Sequence, residues 1–104
     1  MVNLFFYLSD ETKARELVSG LLEQRLVAHA SITTGNETVR NAEKQVTLRN
    51  ECIVTAQTKA LLFEEISNYV NRYYGNEIRI FSVPIAQCND AFSEVIRTET
   101  RDPG

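Results

Sequence analysis

Little in this sequence is equipped to hold a metal or a cross-link by itself. Its 104 residues include only two cysteines, Cys52 and Cys88, and one histidine, His29. The cysteines form no CxxC pair, and with a single imidazole they make no recognisable structural zinc motif. No apolar run approaches the ~20 residues of a membrane-spanning helix, and the longest, Leu4–Leu8, is only strand-length. The N-terminus lacks the basic region and long apolar core of a signal peptide. The expectation is therefore a cytoplasmic protein, in which a disulfide framework would be out of place. Basic charge is short as well. The net charge is −3 and the isoelectric point about 5.1, and Lys and Arg are scattered. That excludes nucleic acid as a general partner, because a phosphate-binding surface is basic. Neither a phosphate-cradling glycine-rich loop nor a nucleophile–base pair is present.

What remains is the composition of an ordinary globular domain, with 43% hydrophobic and 24% charged residues. The length suits one core and not two. We expect a single domain over residues 1–100 and a frayed tail over Arg101–Gly104.

Val2–Leu8 is almost continuously apolar, the pattern of a central strand buried on both faces. Ser9 or Asp10 then offers a capping oxygen to a helix from Asp10 to about Arg25. Ala14, Leu17, Val18, Leu21 and Leu22 form its apolar stripe. From Val27 the period changes to two, with Ala28, Ala30 and Ile32 on one face and Val27, His29, Ser31 and Thr33 on the other. Thr34-Gly35-Asn36 suits a bulge or bend, and Asn41-Ala42-Glu43-Lys44 should hold a hairpin tip. A return strand ends at Gln57. Thr58 is the expected cap of a second helix, whose stripe is Leu62, Ile66, Tyr69, Val70 and Tyr73 and whose stop is Gly75-Asn76. A fourth strand over Ile78–Ile85 and a short helix capped by Asn89 or Asp90, with Phe92, Val95 and Ile96 facing inward, complete the chain.

The order β-α-β-β-α-β plus a C-terminal helix predicts an α+β, ferredoxin-like sandwich with a long β2–β3 hairpin. Two strands of a dozen residues would span ~40 Å, whereas the first helix spans only ~24 Å. The ribbon must overhang its helices. An uncovered two-stranded ribbon is marginally stable and exposes its edges, so another subunit is expected to cover it.

With these elements placed, the chain resembles the CutA family, trimeric proteins named for divalent cation tolerance. Leu26-Val27-Ala28-His29-Ala30-Ser31-Ile32 resembles the family's Leu-Ala-Ala-Cys-Val-Asn-Ile, followed by Gly35 where the family commonly has glycine. Gln57-Thr58 stands at its Lys-Thr. Asn71–Ile78 resembles its His-Pro-Tyr-Glu-x-Pro-Glu-Ile in Tyr73, Glu77 and Ile78. Val83-Pro84-Ile85, Asn89 and Phe92 resemble its ending. The departures are His29 for the family cysteine, Gln57 for its lysine and Asn71 for its histidine, with Arg40 and Ala42 where its hairpin has aromatics. The soft thiolate and the loop imidazole are thus both missing from their matched positions.

The resemblance implies a homotrimer with Gln57, Tyr73 and Glu77 lining an intersubunit cleft. Two of them also have a plainer reading, Tyr73 as helix packing and Glu77 as a solvated turn carboxylate. His29 is the first metal candidate, against the alternative of a hydrogen-bonded strand histidine. Cys88, in a polar loop, is the second, against that of an incidental loop residue. Cys52 shares a face with Val54 and Ala56 and should be core.

The function implied is a non-enzymatic, copper- or other divalent-metal-responsive trimer that needs no cofactor, with Cu(II) as candidate ligand. The alternative is a nucleotide- or metabolite-responsive regulator resembling the PII signalling proteins, toward which Arg40, Lys44 and Arg49 near the hairpin tip point weakly. An acylphosphatase-like enzyme would need a phosphate loop after the first strand, and none is there. An RNA-recognition module would need a second set of stacking aromatics beside Phe5-Phe6-Tyr7.

Overall fold

A computed structural model describes residues 1–104. The elements run β1 (Val2–Leu8), α1 (Glu11–Glu23), β2 (His29–Ala42), β3 (Gln45–Thr58), a 3-10 turn (Ala60–Leu62), α2 (Phe63–Tyr74), β4 (Arg79–Pro84) and α3 (Asp90–Glu99). The four strands form one sheet in the order β2-β3-β1-β4, and every pairing is antiparallel. This is the expected ferredoxin-like arrangement, an α+β sandwich.

Alternation along β1 puts Val2, Leu4, Phe6 and Leu8 against the helices, where they are buried. They meet Ala14, Leu17 and Leu21 of α1, Leu62, Ile66 and Val70 of the second helical segment, and Cys52, Val54 and Ala56 of β3 in one core. Asp10 caps α1, its Oδ1 accepting from the Thr12 N–H at 2.8 Å, and Asn89 caps α3 through the Phe92 N–H at 2.9 Å. Gly75, at φ 68°, ends α2 in the left-handed region that glycine tolerates.

Several expectations are corrected. Only one face of β1 is fully buried within the chain, Asn3, Phe5 and Tyr7 on the other being partly exposed. Thr58 ends β3 instead of capping a helix: it is fully buried and its hydroxyl donates to the Leu26 carbonyl at 2.5 Å. Leu26 and Val27 are buried ahead of β2, which starts at His29. Tyr73 leaves the helix stripe and is 62% exposed, and Val95 does not face inward either. Arg101–Gly104 is exposed and outside any helix or strand, yet it makes hydrogen bonds to the rest of the chain. The Arg101 N–H donates to the Arg25 carbonyl, its guanidinium and the Gly104 N–H both reach Glu65, and Lys59 reaches the Thr100 and Arg101 carbonyls.

The hairpin follows its predicted course. Glu43 and Lys44 form the two-residue tip with φ of 50° and 66°, which fits a type I′ turn. Gly35, at φ 71°, lies in a bulge that shifts register between Thr33 and Asn36. The bulge sets two residues of β2, Thr34 and Gly35, against one of β3, Cys52, since Thr33 pairs with Ile53 and Asn36 with Glu51. One extra residue exchanges the two faces of β2. Beyond it Val39 joins Leu48 on the helix side, and Thr38 turns to the opposite face.

Candidate functional site

The uncovered sheet face is where the chemistry-bearing side chains gather. Strand register lays them in cross-strand rows. The first row is His29, Gln57, Asn3 and Val83; the second is Ser31, Thr55, Phe5 and Phe81; the third is Thr33, Ile53, Tyr7 and Arg79. The middle is aromatic: Phe5 and Phe81 stack with centroids 4.8 Å apart, and Tyr7 lies 6.2 Å from Phe81.

His29 and Gln57 are direct cross-strand partners. Gln57 Nε2 donates to Asn3 Oδ1 at 2.6 Å. The exposed His29 ring sets its edge toward Phe92 of α3, centroids 6.1 Å apart. Cys88 is exposed, its Sγ 4.0 Å from the Met1 Sδ. Cys52 is a buried core thiol, and burial pushes its pKa up, keeping it protonated and inert. No three His, Cys, Asp or Glu side chains come together to hold a metal. One chain alone thus presents no coordination sphere, whatever His29 supplies.

The opposite end of the sheet holds a constellation that sequence reasoning missed. Glu51 is 5% exposed and accepts from Arg79 at 2.5 and 2.6 Å, while the Arg79 guanidinium stands 5.0 Å from the Tyr7 ring centroid. Burial raises the Glu51 pKa, but hydrogen bonds from Arg79 and Thr38 and the charges of Arg79 and Arg49 outweigh it and leave the carboxyl below its ordinary range. Thr38 reaches Glu51 only because the bulge has turned it to this face. The available signal was a lone glutamate entering the apolar run Cys52-Ile53-Val54, and its arginine partner depends on register that spacing does not disclose. Glu77 joins this end, lining a cavity of about 390 Å³ with Tyr7, Ser9, Arg49, Glu51 and Arg79. Its own nearest charge is Lys13, at 4.0 Å.

A single chain does not bring Gln57, Tyr73 and Glu77 together. Gln57 pairs with Asn3 at the start of β1, and Glu77 shares its cavity with Ser9, just past the other end. About six strand residues, or roughly 20 Å, separate them. Tyr73 sits in the helix layer, 4.8 Å from Tyr69 between centroids.

The sheet order, long hairpin and C-terminal helix recur in solved structures. CutA1 from Pyrococcus horikoshii carrying the D60A mutation superposes with a TM-score of 0.89 at 19% identity, covering 98% of this chain and 100% of that one. The divalent cation tolerance protein CutA1 from Thermus thermophilus gives 0.87 at 23%, covering 97% and 100%. CutA1 from Oryza sativa gives 0.89 at 19%, covering 97% and 94%. No curated protein matches the sequence. At these identities the structures speak for the fold, while the sequence itself matches the family model described as CutA1 divalent ion tolerance protein over residues 2–99. With that match spanning nearly every element from β1 to α3, the chain belongs to the CutA1 divalent ion tolerance family.

Proposed function

We propose that the protein works as a cytoplasmic, non-enzymatic homotrimer that binds a divalent metal ion, Cu(II) foremost, or a small molecule between subunits as part of a metal-tolerance response. The observation that carries the reading is the family match over residues 2–99. Two uncovered apolar surfaces support the assembly: the Phe5–Tyr7–Phe81 sheet face, and the row Val39, Leu48 and Val46 on the ribbon, exposed by 61%, 59% and 75%. Gln57 and Glu77 stand on the sheet side of the proposed cleft, and Tyr73 adds to it from the end of α2. Because the three are dispersed within one chain, the cleft takes them from different protomers.

His29 is the proposed metal ligand, with Cys88 second. Imidazole suits copper, and only its neutral form coordinates, so binding weakens in acid. Anaerobic Cu(II) titration of the wild type and His29→Ala tests this. Weak binding that disappears in His29→Ala is expected, and tight binding that survives it contradicts the assignment. A second, PII-like reading is favoured by Arg49 beside Arg79 in the cavity of Glu51 and Glu77. It predicts a thermal shift with ATP or ADP larger than with any divalent ion.

A further inference from the structure

Covering the sheet face leaves the helix layer facing outward, and there α1 and α2 enclose an open groove of about 590 Å³. Along α1 its wall is the stripe Glu16, Ser19, Gly20 and Glu23, at i, i+3, i+4 and i+7. Two carboxylates thus flank two residues with almost no side chain. The facing wall is Tyr69, Tyr73 and Tyr74 of α2. The Tyr69 phenol stands over Gly20, its hydroxyl oxygen 2.0 Å from where a Cβ would lie, so a larger residue there would displace it.

The charge is of one sign. Neither Glu16 nor Glu23 takes part in an ion pair, and the one hydrogen bond to them is from the Tyr74 hydroxyl to Glu16 Oε1 at 3.0 Å. The arginines nearby, Arg72 and Arg101, line an adjoining hollow beyond Tyr69 and Tyr73. The tyrosines respond to these surroundings: burial raises the Tyr69 pKa, with Tyr73 and then Glu23 and Glu16 adding to it, while burial and Glu16 push Tyr74 up to about 12. Both phenols therefore stay neutral and leave the groove's charge to the carboxylates.

Spacing decides the ligand. Seven residues of helix separate the carboxylates by ~10 Å along the axis, whereas a metal ion holds its oxygens at ~2.0–2.6 Å. One compact cation cannot satisfy both. A chain with ammonium groups at its two ends can, while tyrosine faces attract cations within ~6 Å and accept methylene groups between them. We propose that this groove binds a linear aliphatic polyamine, its end ammonium groups on Glu16 and Glu23 and its methylene chain over the tyrosine rings. The groove lies on the helix layer and shares only Tyr73 with the proposed cleft; it holds neither His29 nor Cys88 and does not depend on copper.

Tyrosine fluorescence reads it directly, since the protein has no tryptophan and three of its four tyrosines line the groove. Titration of the intact wild-type protein with spermidine, at fixed ionic strength, should be saturable. Glu16→Gln and Glu23→Gln should each weaken it about tenfold, and putrescine, too short to reach both carboxylates, should bind the wild type no better than those variants bind spermidine. Both glutamates are exposed, so the variants keep the wild-type melting temperature, and a given spermidine concentration should raise that temperature more in the wild type than in either variant. No saturable spermidine response, an affinity unchanged in both variants, or equal responses to putrescine and Mg²⁺ would overturn the proposal.

Discussion

Val54 and Leu48 lie on the same face of β3, yet Val54 is fully buried and Leu48 is 59% exposed. Nothing in the residue types distinguishes the two halves of the strand. The difference is the reach of the helices. With 13 residues α1 extends ~20 Å, whereas each 14-residue hairpin strand extends ~46 Å, close to the molecule's longest dimension of 45 Å. The apolar alternation nevertheless continues past the helices to Leu48 and Val46, and the bulge at Gly35 brings Val39 beside Leu48. Across β1 the same contrast recurs: Phe6 is fully buried, while Phe5 and Tyr7 on the other side stack on Phe81, itself 44% exposed. The chain thus carries apolar surface that its own helices leave uncovered.

The covered region should respond most strongly. Leu21→Ala, in the core beneath α1, should cost ~2–5 kcal/mol in denaturant unfolding, while Glu23→Ala, on the outer side of the same helix, should stay within about ±0.5 kcal/mol. Equal losses would mean that the faces of α1 are misassigned. The uncovered region gives a sharper test. Leu48→Asp and Phe81→Asp should leave the chain folded by circular dichroism but lower its mass in solution and make its melting temperature depend on concentration. Unchanged mass in both variants would remove the reason for contrasting the two halves.

Glu51 sits on the uncovered face but is itself buried. Its pKa is lowered in the folded state, so its contribution is present above the ordinary carboxylate range near 4.5 and is lost as pH falls through the depressed folded value. Urea unfolding followed downward from pH 6 should show that loss in the wild type and a flatter profile in Glu51→Gln. Arg79, the partner, is half exposed, which keeps the effect modest. The smallest change expected is at the tip, where Lys44 holds a positive φ that non-glycine residues resist. Lys44→Gly should stabilise by up to ~1 kcal/mol, and destabilisation there would argue that a partner grips the lysine.

The helix faces apart from Leu22, Tyr73 and Val95, the bulge, the tip and the glycine stop of α2 were legible because each rests on local periodicity or turn chemistry. Thr58 was misread because a threonine before an apolar stripe looks like a cap, and only the tertiary neighbour Leu26 shows why its hydroxyl is buried. The contacts of the tail were not legible because its partners, Arg25, Lys59 and Glu65, are remote in sequence. Of the candidate site, the adjacency of His29 and Gln57 follows from hairpin register. The Glu51–Arg79–Tyr7 group does not, since it joins three strands whose order spacing alone leaves open. Gln57, Tyr73 and Glu77 were grouped by resemblance, and one chain keeps them apart.

The most direct test of the central claim, that each chain's uncovered surfaces are completed by copies of itself, is the mass of the purified protein in dilute solution. Sedimentation equilibrium at micromolar concentration should give three chains of 11.8 kDa. A monodisperse species of one chain would contradict it.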